Sequence, residues 1–296
     1  MKIVFLEKTR SAKAEILTSE IELRGHSVMT LCGVDKSEIK KLIKEEKPDI
    51  VHALGEKSCL RYASASGART VFTKCGKKPS FFMPKYDAEY EFPKLVCSPV
   101  GVNAEKRNGL RSELGIKDEF TFLALGDAEP VSDLKTFVLA AAEAVGTHNE
   151  LKFLLSSEGS VSESLKALCT DLGITGNVIF LPSEISFSDA VAASDAVVSS
   201  ASGEIDLLCA AKALGMGIPL LLSEKCETGF GEINGKAGLT FDDENSEMLA
   251  TAMLTFLENN SLRDRMKENA ERLFREKYSA EKAADELEGL YLSLIK

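Results

Sequence analysis

What this sequence lacks narrows its chemistry first. Three histidines occur in 296 residues, and the seven cysteines (Cys32, Cys59, Cys75, Cys97, Cys169, Cys209, Cys226) form no C-x-x-C pair. A tetrahedral metal site needs closely spaced thiolates and imidazoles, so no metal is expected and the cysteines read as buried free thiols. No block of lysine and arginine exists either, and the formal net charge is −10. Nucleic-acid binders neutralise phosphates with clustered positive charge, so nucleic acid is not an expected partner. Before Glu7 the chain holds only four consecutive strongly apolar residues, Ile3–Leu6. That is too short for a signal-peptide core, and no later run reaches membrane-spanning length, so the expected location is the cytoplasm. The first turn, Glu7-Lys8-Thr9-Arg10-Ser11-Ala12, contains no glycine. A G-x-G-x-x-G dinucleotide loop is therefore excluded there. Repeats and low-complexity tracts are also missing.

What is present is enough for two folded domains: 296 residues with 44% hydrophobic side chains. The charge is unevenly divided. Residues 1–100 hold 18 basic and 13 acidic side chains (+5), and residues 101–296 hold 18 and 33 (−15). Ile3–Leu6, a helical segment to Leu23 and a strand at Ser27–Leu31 make a β-α-β start. A helix over Lys36–Glu46 leads to a buried-type strand, residues 48–53, and another strand follows at Thr70–Thr73. After a Pro/Gly stretch at Ser98–Asn103, read as an interdomain linker, strands at 120–126, 152–156, 178–181, 196–199, 219–222 and 238–241 alternate with helices at 133–145, 163–172, 187–193, 207–214 and 246–258. Such alternation specifies an α/β fold with doubly wound parallel sheets. Ser261–Lys296 reads as one or two long helices.

Three stretches carry candidate chemistry. Ser199–Pro219 runs from a strand end through a polar turn with Glu204 into a short apolar helix closed by glycines, with Asp206 placed as its N-cap. His52 stands near the carboxyl end of its strand, the edge where open α/β sheets gather ligands, and reads either as a substrate contact or as a satisfied core histidine. Lys74–Lys94, with Lys77, Lys78, Phe81 and Phe82 at its centre, reads as a loop. It could face an anionic acceptor or a membrane surface, or pack its phenylalanines inward.

At residues 176–182 (GNVIFLP), 187–196 (FSDAVAASDA), Glu204, Gly217-Ile218-Pro219 and 232–239 (EINGKAGL), the sequence resembles the retaining GT-B glycosyltransferases of family 4, the glycosyl transferases group 1. Pro99-Val100-Gly101-Val102-Asn103 is similar to that family's linker, and Arg24-Gly25-His26 and residues 48–52 extend the likeness more loosely. The resemblance implies a GT-B fold: two Rossmann-like domains facing a cleft, the N-terminal one shortened. The boundaries are 1–98 on the acceptor side, 99–278 for nucleotide-sugar binding, and 279–296 for a helix crossing back. It further implies transfer of a sugar with retention, no cofactor beyond the nucleotide-sugar donor substrate, and a carbohydrate or lipid-linked acceptor. A protein partner and peripheral membrane contact are both compatible with it. Glu204 takes the place of the family's first acidic residue, which contacts the donor sugar. Gly126, Leu181 and Pro182 fall on the donor side, and His52 on the acceptor side.

Several positions depart from the family. Its second acid, which holds the nucleotide ribose, is Lys212 here, and a donor-only ammonium cannot replace an acceptor-only carboxylate. Its Gly-Phe-Gly is Ile205-Asp206-Leu207, its diphosphate-clamping Arg and Lys are Asp127 and Ser132, and its active-site His falls on Cys75. Lys135, one helical turn beyond Ser132, together with Lys212 could supply a phosphate clamp by another route. Three functions follow: a glycosyltransferase, a catalytically degenerate GT-B protein serving as scaffold or partner subunit, or a binder of another anionic or sugar-phosphate ligand.

Overall fold

The computed structural model describes residues 1–9, 11–55, 67–73, 86–91, 96–98, 101, 103–125, 131–155, 159–200, 204–226 and 233–296; the side chains of residues 125, 131–133, 159, 160 and 204–206 are not described. The fold divides into two compact units, Met1–Ser98 with Lys277–Lys296, and Pro99–Glu276.

In the first unit, strands β1 (Lys2–Glu7), β2 (Ser27–Cys32), β3 (Ile50–Leu54), β4 (Arg69–Thr73) and β5 (Ala88–Tyr90) form a parallel sheet in the order β2-β1-β3-β4-β5. Helices α1 (Ala12–Leu23) and α2 (Lys36–Glu46) make the crossovers. Parallel strands covered on both faces need apolar side chains on both. β1 supplies them in alternation. Ile3 and Phe5 join a cluster with Leu17 and Ile21 of α1, while Val4 and Leu6 join one with Ile39 and Ile43 of α2.

The last helix also belongs to this unit. Ser279 caps it, its Oγ accepting from Lys282 N at 3.1 Å. Ala280, Ala283, Ala284, Leu287 and Tyr291 of that helix (Ala280–Ile295) complete the cluster around Ile3 and Phe5. Polar ties add direction: Arg24 donates to Asp285 Oδ1 at 2.8 Å and to the Glu281 carbonyl at 3.0 Å, and His26 Nε2 lies 2.6 Å from Glu288 Oε1.

The second unit begins with α3 (Ala104–Glu113). Asn103 Oδ1 accepts from the amides of Glu105 and Lys106, an N-cap that satisfies two otherwise orphan donors. Its parallel sheet contains β6 (Thr121–Leu125), β7 (Lys152–Leu155), β8 (Val178–Phe180), β9 (Ala196–Ser199), β10 (Leu220–Ser223) and β11 (Gly238–Phe241), in the order β11-β10-β9-β6-β7-β8. The intervening helices are α4 (Val131–Thr147), α5 (Gly159–Asp171), α6 (Phe187–Ala193) and α7 (Glu204–Gly215), followed by α8 (Ser246–Glu258) and α9 (Asn260–Lys277); the capped last helix is α10. Phe122, Phe137 and Phe153 centre the main core.

α3 is held to the amino ends of β6 and β9 by arginines. Arg107 bonds Asp195 Oδ1 at 2.7 Å. The buried Arg111 donates to the carbonyls of Lys117 (2.9 Å), Glu119 (2.7 Å) and Ala193 (2.9 Å). Asp195 Oδ2 meanwhile accepts from Thr121 N at 2.9 Å. This network lies at the end of the strands opposite to the one where α/β sheets bind ligands, so it acts as a scaffold.

Candidate functional site

Strand order reverses once in each sheet. In the first unit β2 and β3 flank β1, and in the second the chain passes from β6 to β7 and β8, then returns to place β9 on the other side of β6. Crossovers diverge at such a switch point and leave a crevice outside the carboxyl ends of the two strands. In the second sheet that crevice is framed by the ends of β6 and β9, where Leu125 is in register with Ser199.

Around this edge the structure groups three small polar side chains. Ser199 ends β9, Ser223 ends the adjacent β10, and Cys226 follows three residues later; all three are buried. Ser223 Oγ donates to the Ser200 carbonyl at 3.0 Å, Cys226 N donates to Ser223 Oγ at 3.4 Å, and Cys226 Sγ approaches Ser199 Oγ at 3.5 Å. None was singled out from sequence, although a serine closing each of two apolar runs, AVVS and LLLS, was a readable signal.

Glu204 is the first residue of α7, four residues beyond Ser200. The helix therefore starts earlier than the expected Leu207, and it includes Ile205-Asp206-Leu207. Asp206 is a third helical residue, not the N-cap; where a Gly-x-Gly would keep the backbone open, these side-chain-bearing residues continue the helix. Lys212, half-buried, lies in the last turn. At 1.5 Å rise per residue it is about 12 Å along the axis from Glu204, where an ammonium complements the helix carbonyls. Gly217, with φ +69°, then reverses the chain, its N–H bonding the Leu214 carbonyl at 3.0 Å.

Lys135 is exposed near the start of α4, the helix that follows β6. Leu181 and Pro182 follow β8, the edge strand; Leu181 is half-buried and ties back through its N–H to the Leu155 carbonyl at 2.9 Å, while Pro182 is exposed. Gly126 and Cys75 lie outside the described residues.

His52 requires a correction. It is fully buried in β3, with Nδ1 2.6 Å from Tyr291 Oη and Nε2 2.7 Å from Thr73 Oγ1. Both ring nitrogens are thus occupied, and the residue joins β3 to β4 and α10 inside the first unit rather than facing a substrate. Burial pushes its pKa down to about 3, so the ring is neutral, and burial likewise raises Tyr291. Tyr90 beside it is pushed up to about 12, first by burial and then by the charge of Glu286. The cysteine expectation also needs amending: Cys97, Cys169 and Cys226 are buried and Cys209 is half-buried, but Cys32 is exposed at the end of edge strand β2, and Cys59 lies outside the described residues.

Among the described residues no group of three or more His, Cys, Asp or Glu could hold a metal ion, and no helix is long and apolar enough to cross a membrane.

Comparison with known proteins supplies the remaining observations. A glycosyltransferase from Rickettsia africae ESF-5 superposes with a TM-score of 0.70 at 14% identity, covering 100% of this chain and 98% of that one. HepE of Anabaena, in a crystal structure with UDP, gives a TM-score of 0.68 at 14% identity over 99% of this chain and 100% of its own. The shared fold is GT-B. In sequence, the chain is 26% identical over 196 residues to alpha-D-kanosaminyltransferase of Streptomyces kanamyceticus, a match spanning 63% of this chain and 49% of that enzyme. Residues 106–273, more than half of the chain, match the family described as Glycosyl transferases group 1. With that span containing the switch point, Glu204 and the serine-lined strand ends, the chain belongs to the glycosyl transferases group 1 family.

Proposed function

We propose that this chain transfers a sugar, with retention, from a nucleotide-sugar donor to a carbohydrate or lipid-linked acceptor. The observation that carries the reading is the position of Glu204: it opens α7 directly after β9, beside the switch point of a group 1 family sheet. A carboxylate there can accept hydrogen bonds from donor-sugar hydroxyls. Catalysis would come from positioning and from stabilising the departing diphosphate at the carboxyl edge, where helix N-termini favour anions. Lys135 is the cation we assign to the phosphate side. Lys212 we assign to the closing turn of α7 instead, given its distance from Glu204. HepE's crystallisation with UDP and with UDP-glucose supports a nucleotide-sugar ligand at the level of fold.

A second reading, a catalytically degenerate scaffold or partner subunit, is favoured by Lys212 in place of the second acid and by the unbroken helix over residues 205–207. Thermal unfolding with UDP-, GDP- and ADP-sugars separates the readings, because a ligand that binds only the native state at 100 times its Kd adds about 2.7 kcal/mol. Stabilisation of wild type by one sugar nucleotide, diminished in Glu204→Gln, is the expected result. No stabilisation by any of them favours the scaffold, and stabilisation only by other anions or sugar phosphates favours a different ligand.

A further inference from the structure

We infer that α2 is a docking surface for an anionic bilayer, presenting a row of four lysines, Lys36, Lys40, Lys44 and Lys47, to the phosphate groups of acidic lipids. The inference concerns the first unit and stands apart from the sugar-nucleotide site of the second.

No unbroken run of basic residues marks this stretch; the helix period assembles the row. α2 buries Ile39 and Ile43 against Val4 and Leu6 of the sheet. At about 100° per residue, Lys36, Lys40, Lys44 and the C-capping Lys47 fall within an arc of about 80° beside that buried line, over a length of about 16 Å. Glu38, Glu45 and Glu46 fall outside the arc, and the ion pairs of α2 lie with them: Glu45 faces Lys41 at 4.0 Å and Glu46 faces Lys2 at 2.5 Å. All four lysines of the row are exposed, and among the described residues none of them forms an ion pair.

Such a row is unfavourable for the fold by itself. Lys36 and Lys40, and Lys40 and Lys44, are like-charge neighbours at i,i+4, and Lys44 and Lys47 at i,i+3; each pair repels where a Glu–Lys pair would attract. Lys36 opens the helix, where the macrodipole disfavours a cation, and only Lys44 and Lys47 complement its last carbonyls. Lys47 also holds a left-handed conformation (φ +46°, ψ 59°) that glycine adopts at lower cost. Folding alone does not account for four ammonium groups in line. A negatively charged surface does, because phosphates lying against the row relieve its self-repulsion.

The chemistry of the row selects its occupant. Lysine is a hydrated point charge that meets phosphate without a fixed geometry. No arginine and no aromatic side chain occurs in α2, so bidentate contacts and base stacking are missing and nucleic acid is disfavoured. The apolar face of α2 is committed to the core, so the helix rests on headgroups rather than inserting between them. Binding is therefore electrostatic, each lysine contributing about fivefold near an acidic surface. Lys36 starts the row just after β2, at the carboxyl edge of the first sheet, an arrangement that suits the lipid-linked acceptor proposed above.

The experiment is co-sedimentation of the full chain with vesicles of phosphatidylcholine alone or with about 30% phosphatidylglycerol, at low salt and at about 1 M salt, where the Debye length is about 3 Å. Wild type should bind the acidic vesicles at low salt, release them at high salt and ignore the neutral ones. Lys40→Gln with Lys44→Gln should weaken binding about 25-fold, while Lys40→Arg with Lys44→Arg, which keeps both charges, should bind like wild type. A control with the same change in net charge, Lys41→Gln with Lys166→Gln, removes two exposed lysines outside the row and should cost less than about threefold. All six substitutions are at exposed positions, and far-UV circular dichroism checks that each variant is folded. No binding to acidic vesicles at low salt, equal binding to neutral ones, or an equal loss in the control overturns the inference. So does binding to single-stranded DNA in the absence of vesicle binding, which would make the row a site for a soluble polyanion. None of these outcomes bears on sugar-nucleotide binding, which the thermal-unfolding screen reads separately.

Discussion

Acidification should destabilise the first unit through His52, by an amount that follows from its burial. The ring is completely buried, with its nitrogens committed to Tyr291 and Thr73, and its folded pKa of about 3 lies below the 6.5 of an exposed histidine. Between these values the unfolded chain binds a proton that the folded chain refuses. The contribution is therefore fully present above pH 6.5 and lost as pH falls toward 3. Linkage gives a slope of about 1.4 kcal/mol per pH unit well inside that window, or about 2 kcal/mol lost between pH 7.5 and 5. The chain has no tryptophan, so urea unfolding is best followed by far-UV circular dichroism at pH 7.5, 6 and 5. His52→Gln removes the titration while retaining hydrogen-bonding capacity. Every other side chain is common to the two proteins, so the difference between the curves isolates His52. Wild type should lose about 2 kcal/mol more than His52→Gln over that range. Parallel curves would refute a neutral, buried His52.

Two stability predictions test the second unit. Arg111→Ala removes a buried guanidinium that holds three carbonyls and faces Asp195, and should cost about 3 kcal/mol in denaturant unfolding, with Arg111→Lys recovering only part of it. Gly238→Ala places a methyl against the Leu220 carbonyl in the β10–β11 pairing, where backbone cannot yield. A loss of about 3 kcal/mol is expected, and an unchanged urea midpoint would contradict this register.

The parts of the fold that sequence revealed are those whose burial is two-sided. β1, β9 and β10 are built on apolar runs, and β3 on one interrupted only by His52, because both their faces are covered, and the helices between them could be placed from the alternation. α3 left no such trace: the buried residue it contributes is Arg111, so no apolar period marks it, and only the Asn103 cap announces it. β5 has three residues with one buried, Tyr90, inside a charged stretch. His52 stood between two readings in sequence, substrate contact or satisfied core histidine, because the partners that decide for the second, Thr73 and Tyr291, are 21 and 239 residues away. Glu204 was found from its neighbours in sequence, yet the contact at the end of β9 joins Ser199 to Cys226 across 27 residues. Sequence order shows which residues reach a strand's carboxyl end. It does not show which of them bond one another there.

The central claim is that a nucleotide-sugar binds at the carboxyl edge of the second sheet, and crystals soaked with a stabilising sugar nucleotide test it most directly. The account predicts the diphosphate outside the ends of β6 and β9 and the sugar beside Glu204 at the start of α7. Density for the ligand elsewhere, or a sugar turned away from Glu204, would contradict it.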